Sequence, residues 1–242
     1  MNKLTVVGIG PGAADQMTLR AMRALQEADV IAGYGVYVDL VRPLFPDKET
    51  LVTPMRREAE RCRMAIAAAM EGRHVAMISS GDAGVYGMAG LIYELSQGMA
   101  LTIEVVPGVT AALSGGAVLG APLTHDFAVI SLSDLLTPWE TIERRLDAAA
   151  SADFCIAIYN PSSVRRADYL RRACEILLRH KRPDTLCGAV RNIGREGEEA
   201  ELMSLSALAD YRADMFTTVF VGNDRTREID GKMVTPRGYR DV

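Results

Sequence analysis

The 242-residue chain contains no run of some 18 consecutive apolar residues, so it offers no membrane-spanning helix. Its N-terminus enters an apolar strand directly, without a charged leader segment and cleavage site, and the expectation is a cytoplasmic protein. The four cysteines, Cys62, Cys155, Cys174 and Cys187, are scattered and form no CxxC pair, which leaves neither a zinc site nor an iron–sulfur site to expect. Buried free thiols are the better reading. An excess of positive charge is missing too: 27 Lys and Arg against 31 Asp and Glu give a net charge of -4, which argues against a nucleic-acid binder. An anionic small molecule held by local arginines remains open. There is no tandem repeat and no low-complexity tract, and 49% hydrophobic residues are enough to build one large core or two smaller ones.

What stands out is Ser79 to Gly90, Ser-Ser-Gly-Asp-Ala-Gly-Val-Tyr-Gly-Met-Ala-Gly. It follows an apolar run, His74 to Ser79, that reads as a buried parallel strand, and it leads into a helical segment at Leu91 to Leu95. Ligands of α/β proteins bind where such strands deliver their carboxyl ends. Gly81, Gly84, Gly87 and Gly90 recur every three residues and would open one side of the turn to a small molecule. Asp82 and Tyr86 are its strongly polar groups. A phosphate cradle is disfavoured, because no Gly-Lys-Ser/Thr follows and no lysine stands nearby.

Along the chain, strand-like and helix-like segments alternate. Leu4 to Gly8 runs into Gly8-Ile9-Gly10-Pro11-Gly12, with a helix from about Thr18 and Asp29 near the spacing of a ribose-binding acid. That likeness to a dinucleotide fingerprint is weak, since Pro11 removes a backbone donor and Ala13 to Met17 separates the glycines from the helix. Strands at Asp29 to Gly33 and Glu49 to Thr53 and helices at Val36 to Arg42 and Glu58 to Glu71 follow. A strand at Leu101 to Val106 ends in a second ligand-facing turn, Pro107 to Ala111, before a helix from Ala112 to Leu119. Gly120 to His125 reads as a linker. The second half repeats the alternation: strands at Phe127 to Leu132, Asp153 to Tyr159, Thr185 to Arg191 and Phe216 to Val221, helices at Trp139 to Ala150 and Val164 to His180, and a hairpin near Gly231 to Thr235. The expectation is an α/β protein of two domains, 1–119 and 120–242.

The motifs VGIGPG (Val7 to Gly12), SGDAGVYG (Ser80 to Gly87), PGVTA (Pro107 to Ala111), Tyr159-Asn160-Pro161 and TPRG (Thr235 to Gly238) stand in the order found in tetrapyrrole methylases of the cobalamin pathway. The chain resembles that family over essentially its whole length. Gly-Asp-Ala at Gly81 to Ala83, with HDF and ISLSDLLTPW between His125 and Trp139, resembles the branch that methylates C-17 of precorrin-3B, or of its cobalt counterpart, and contracts the macrocycle. The lack of an added cysteine-rich segment leans toward the metal-free substrate.

The resemblance implies two αβα domains with mixed, mostly parallel sheets, a cleft between them, a homodimer, S-adenosyl-L-methionine as methyl donor and S-adenosyl-L-homocysteine as product. Carried over by position, the cofactor contacts are Gly81, Asp82, Val85, Tyr86, Thr110, Ala111 and Tyr159, with Ala189 and Thr217 on later strands. Ring contraction needs proton transfers, for which Asp82, His125, Asp126 and Asp134 are the candidates. A polycarboxylate macrocycle calls for guanidinium forks, and Arg56, Arg57, Arg191, Arg195 and Arg237 are the candidates. Two other classes stay open beside it: a nicotinamide-dependent oxidoreductase using the Gly8 to Gly12 loop, and a non-catalytic tetrapyrrole carrier.

Overall fold

A computed structural model describes residues 2–163 and 166–239. The chain divides into two compact units, Met1–Thr110 and Ala111–Val242. The sequence reading placed the boundary at 119/120, because Gly120 to His125 loses periodicity. In the structure the preceding helix belongs to the second unit, for reasons of packing given below.

The first unit is a parallel sheet. Strands β1 (Lys3–Gly8), β2 (Val30–Tyr34), β3 (Glu49–Thr53), β4 (His74–Ser79) and β5 (Thr102–Val106) lie in the order β3-β2-β4-β1-β5, every neighbouring pair parallel. β1, β2 and β4 are short continuous apolar runs, as central strands covered on both faces must be. Helices α1 (Leu19–Glu27) and α2 (Gly35–Val41) cover one face through Ala21, Leu25, Val38 and Val41. Helices α3 (Glu58–Met70) and α4 (Ala89–Leu95) cover the other through Cys62, Ala65, Ala69 and Ile92. The chain leaves β1 toward one face and β4 toward the other, so the strand order switches between these two adjacent strands. In open α/β sheets the ligand crevice forms at the carboxyl ends of such a pair.

In the second unit, α5 (Ala111–Leu119) precedes a short strand β6 (Gly120–Ala121), and the sheet is built from β7 (Phe127–Ser131), β8 (Cys155–Tyr159), β9 (Leu186–Arg191), β10 (Glu199–Ser204) and β11 (Thr217–Val221) in the order β10-β9-β11-β8-β7. Only β7 and β8 are parallel. Within this sheet β11 runs antiparallel to both β8 and β9, and β10 antiparallel to β9, so the expected mixed character lies in the second unit, where β6 also pairs parallel with β13 (Lys232–Val234), while the first unit's sheet is wholly parallel. Helices α6 (Trp139–Ser151), α7 (Tyr169–Leu177) and α8 (Leu205–Leu208) pack on one face. α5 packs on the other: a Cβ on Gly115 would stand 2.9 Å from Phe220 and Ile193, and one on Gly188 2.6 Å from Leu119. The missing side chains let the helix approach β9 and β11, and this contact assigns α5 to the second unit. The expected linker is likewise part of this unit, since β6 pairs with β13, which pairs with β12 (Arg227–Ile229).

α7 is shorter than the helix expected from Val164 to His180, and Val164 itself lies outside the described residues. Cys62, Cys155, Cys174 and Cys187 are free and buried, and burial pushes the Cys62 thiol up to about 11 and Cys174 up to about 12. Such thiols stay protonated and unreactive. Among the described residues no helix is long and apolar enough to cross a membrane.

An ion pair with a buried cation ties the second unit's corner. The Lys181 side chain, 1% exposed, donates to Asp153 Oδ1 at 3.0 Å, and Asp153 also accepts from the Asp224 amide. Asp153 is 42% exposed and partly screened by water, so its removal, which leaves the buried Lys181 ammonium without a counter-charge, costs less than the roughly 3–5 kcal/mol of a fully buried pair. Asp153→Ala should therefore lower the melting temperature by several degrees, with the change reduced in Asp153→Ala/Lys181→Met, as read by thermal denaturation.

Candidate active site

Three turns meet at the carboxyl edge of the first unit's sheet. After β1 the chain runs antiparallel to the turn after β4: the Gly10 amide donates to Gly81 O at 3.0 Å, the Gly81 amide to Gly10 O at 2.7 Å, and the Ile9 amide to Ser79 O at 2.9 Å. The turn after β5 presses in from the side. A Cβ on Gly108 would lie 2.1 Å from Gly81 O, and one on Gly8 2.7 Å from the Gly108 amide. Neither position admits a side chain. Asp82 then fastens the turns after β4 and β5 to each other, its Oδ1 accepting from the Gly84 and Val85 amides at 2.8 and 3.2 Å and its Oδ2 from the Gly108 amide at 3.0 Å. Ser79 Oγ accepts from the Met88 amide at 3.1 Å where α4 begins.

The glycines of this stretch serve different ends. Gly87 is required by its own backbone, since a Cβ there would meet Ala83 O at 2.4 Å, whereas Gly90 faces open space and Gly84 only the Asp82 carboxylate. Tyr86, at φ 54° and 56% exposed, holds its ring outward from the turn. Gly81, Asp82, Val85 and Tyr86 lie in one turn, which Asp82 organises. With both oxygens taken up by amides, Asp82 is a positioning group rather than a proton carrier.

The same geometry disposes of the dinucleotide reading. The Gly10 amide and carbonyl are both spent on Gly81, a 3-10 turn at Ala14–Gln16 intervenes, and α1 starts only at Leu19, capped by Thr18 Oγ1 accepting from the Ala21 amide at 3.0 Å. Asp29 precedes β2, at the amino edge of the sheet, and its carboxylate accepts from the His74 amide at 2.8 Å. A ribose-binding acid belongs at the opposite edge.

Arg56 and Arg57 lie in the turn before α3, exposed, with Arg56 at φ 66° and Arg57 paired to Glu60 at 3.2 Å. Thr110, half-buried, ends the first unit.

In the second unit, the Tyr159 hydroxyl accepts from the Ala112 amide at 2.6 Å, bringing Tyr159 beside Ala111 at the N-terminus of α5. Ala189 is 1% exposed and faces the core under α6 and α7, and Thr217 is 3% exposed with its hydroxyl donating to Asp214 at 2.9 Å. Their side chains are committed to packing. Arg191, Arg195 and Thr217 gather around one corner: Arg191 Nε donates to Asp214 at 2.7 Å, and Arg195 lies 5.8 Å from the Phe216 ring centroid. Arg191 is thus engaged in an ion pair, not held ready. Arg237 is exposed and donates to the Thr124 carbonyl at 2.9 Å, next in sequence to His125.

Of the nominated acids and bases, His125 carries a ring Nε2 that solvent does not reach and that has no hydrogen-bond partner among the described residues. Buried polar atoms are nearly always paired, and this one shares its state with Arg166 Nη1. Asp126 is exposed, and its carbonyl accepts from the Cys155 amide. Asp134 sits in a cluster: Tyr169 donates its hydroxyl at 2.7 Å, Arg166 Nη1 lies 3.8 Å away, and Arg172 stacks over Trp139 at 4.0 Å. The bond to Asp134 holds the Tyr169 phenol above its ordinary value, with burial adding to it.

Sequence reasoning missed Gly108 as the partner of Asp82, the Tyr169–Asp134 pair, and Arg61, a buried arginine on the apolar face of α3. The signal for Arg61 was present: it precedes Cys62 and falls one turn before Ala65, on the stripe that faces the sheet.

The model of the tetrapyrrole (corrin/porphyrin) methylases matches residues 3–209. The chain belongs to the tetrapyrrole methylase family. A relative from Salmonella typhimurium named "Probable cobalt-factor III C(17)-methyltransferase" is 49% identical over 238 residues, covering 98% of this chain and 99% of that protein. The "Precorrin-3B C(17)-methyltransferase" of a Sinorhizobium species is 42% identical over 247 residues, covering 98% and 96%. Among solved structures, the methyltransferase CobJ superposes with a TM-score of 0.89 at 37% identity, over 98% of this chain and all of that one. Methylases of this family use S-adenosylmethionine. Residues 79–90 include no lysine, arginine or histidine and a single carboxylate, so this turn offers no cation to a nucleotide phosphate.

Two expectations follow. Asp82→Ala leaves three amides without their acceptor, each costing about 1–3 kcal/mol where water cannot reach. The variant should melt earlier and bind S-adenosylhomocysteine at least tenfold more weakly, with Asp82→Asn intermediate, by thermal denaturation and calorimetry. At the other corner, burial pushes the Asp214 carboxyl up, but Arg191, the Phe216 amide and the Thr217 hydroxyl outweigh it and hold the group below its ordinary 3.8. A depressed folded-state value stabilises the fold above the unfolded value and ceases to as the pH falls through the folded one. Asp214→Asn should be less stable than the parent at neutral pH, and the gap should close on acidification below pH 3.8 in denaturant titrations.

Proposed function

We propose that the protein transfers a methyl group from S-adenosylmethionine to C-17 of the precorrin-3 macrocycle in cobalamin biosynthesis and contracts the ring in the same active site. The observation that carries this reading is the near-full-length identity to relatives named for C-17 methylation, one on cobalt-factor III and one on precorrin-3B. Both macrocycles present the same carbon nucleophile. The metal-free one, precorrin-3B with precorrin-4 as product, is the primary reading, and the 49% identity to the cobalt-factor III relative keeps the cobalt form as the second.

The bound cofactor supplies an electrophilic methyl on a sulfonium centre. The protein's share is placement: holding the attacking carbon in line is worth up to about 7–11 kcal/mol in effective concentration. In this reading the first unit contributes Gly81, Asp82, Val85, Tyr86 and Thr110 as cofactor contacts, and Ala111, Tyr159, Ala189 and Thr217 are the second unit's contributors, the last two with side chains held in packing. Ring contraction removes the proton of a tertiary hydroxyl at C-20 as a ring carbon migrates. His125, with its unpartnered ring nitrogen, and Asp134, already bonded to a phenol, are the groups best suited to handle it, with Asp126 beside them. Arg56, Arg57, Arg195 and Arg237 serve the macrocycle's carboxylates, and Arg191 joins them only if Asp214 releases it. A homodimer in the cytoplasm belongs to the same proposal.

Calorimetry and single-turnover assays test the reading together. S-adenosylhomocysteine should bind with a Kd of about 1 μM or below, equivalent to about -8 kcal/mol, NAD should not bind, and one or both macrocycles should gain one methyl at C-17. Macrocycle binding without methyl transfer would make the protein a carrier and overturn the proposal.

A further inference from the structure

Arg61 is the one strongly buried arginine for which no carboxylate stands within 4 Å among the described residues. It is 5% exposed. Its Nε donates to Thr53 Oγ1 at 3.0 Å and its Nη2 to Pro54 O at 3.2 Å, while the contact at Nη1 is the Met88 thioether at 4.0 Å. The Tyr34 ring centroid lies 5.8 Å from the guanidinium carbon. All four neighbours are neutral. A guanidinium carries five N–H donors and never sheds its charge in a protein, and arginine is almost never buried unless paired. Burying an isolated charge is costly, and sequence economy alone would have placed an apolar residue on this stripe of α3, beside Cys62 and Ala65.

The position gives the charge a use. Thr53 closes β3, Tyr34 closes β2 and Met88 ends the turn that Asp82 holds, so every contact of the guanidinium belongs to the carboxyl edge of the parallel sheet. That is the edge on which α/β sheets bind ligands. The nitrogen with the poorest partner is the one beside the turn. Thioether sulfur is a weak acceptor on a flexible side chain, readily displaced by a charged oxygen.

We propose that Arg61 is the binding site for a ligand carboxylate at this edge, with Met88 standing where the anion arrives. The proposal rests on the methyltransferase reading and assigns a specificity residue within it. Carboxylate chemistry is shared by the acid side chains of the macrocycle and by the amino-acid end of the cofactor, and the macrocycle is the favoured source because Arg56 and Arg57 stand in the same turn region as Pro54.

Arg61→Met and Arg61→Lys separate the possibilities, with three measurements on each variant and on the parent: the macrocycle KM and kcat, the Kd of S-adenosylhomocysteine, and the Kd of 5′-methylthioadenosine, which lacks the amino-acid carboxylate. A macrocycle KM raised at least tenfold in Arg61→Met, partly restored in Arg61→Lys, with kcat and both Kd values within twofold of the parent, supports the macrocycle as source. A tenfold loss for S-adenosylhomocysteine alone, with 5′-methylthioadenosine unchanged, supports the site with the cofactor as source. Unchanged values throughout overturn the proposal. So do parallel losses in all three ligands that track a lower melting temperature in both variants, since those mark a brace for the β3 to α3 turn. A parent protein that binds neither cofactor product nor macrocycle brings down the functional reading itself, which distinguishes that failure from this one.

Discussion

The arrangement of the first unit's carboxyl edge depends on one carboxylate. Asp82 holds the turns after β4 and β5 together by accepting three backbone amides, and the paired bonds between Gly10 and Gly81 bring in the turn after β1. These turns stand at the point where the chain leaves adjacent strands toward opposite faces, so their backbones diverge unless something fastens them. Glycine at positions 8 and 108 is the other half of the device, because the approach of Gly108 to Gly81 O leaves no volume for a Cβ. A rigid, backbone-lined edge with one negative charge follows from these few residues.

Such an edge explains why the chain carries a glycine-rich turn without being a phosphate binder. Phosphate recognition spends amide donors on the ligand, usually at a helix N-terminus backed by a lysine. Here the amides of Gly10, Gly81, Gly84, Val85 and Gly108 all donate to protein oxygens. What the turn still presents outward is the Tyr86 ring and the open flank of Gly90, a surface suited to packing and shape rather than to anion capture.

Much of this was legible in the sequence. The strands Glu49 to Thr53 and His74 to Ser79 were read with the ends they have, because continuous apolar runs bounded by turn residues carry their own punctuation. The glycine turn was read as a ligand edge, but its three-residue spacing was given a single cause where the structure gives several. β10 escaped notice since Glu199-Ala200-Glu201 is an exposed edge strand with little apolar signal, and α8 has four residues. The domain boundary was misplaced for a related reason. Loss of periodicity at Gly120 marks where a helix stops, whereas membership of α5 in the second unit is decided by Gly115 and Gly188 meeting Phe220 and Leu119, contacts between residues some seventy to a hundred positions apart. No local pattern holds that information.

Charge burial sorts the remaining polar residues by role. Lys181 is buried against Asp153, and Arg191 sits against Asp214, so each cation has its counter-charge within the same unit and each pair serves the fold. Asp82 has no cation but three amides, enough to satisfy a carboxylate whose task is to hold a turn. His125 Nε2 and the Arg61 guanidinium are different, since one has no partner and the other only neutral ones. Burying a polar or charged group without a matching acceptor or counter-charge is costly, and these two are the places where that cost is least offset by the contacts described above. Incomplete pairing inside an otherwise well-paired protein, which the Arg166 Nη1 beside Asp134 shares, is therefore the physical feature that sets these groups apart from the paired ones, and exposure and sequence position alone would have passed over it.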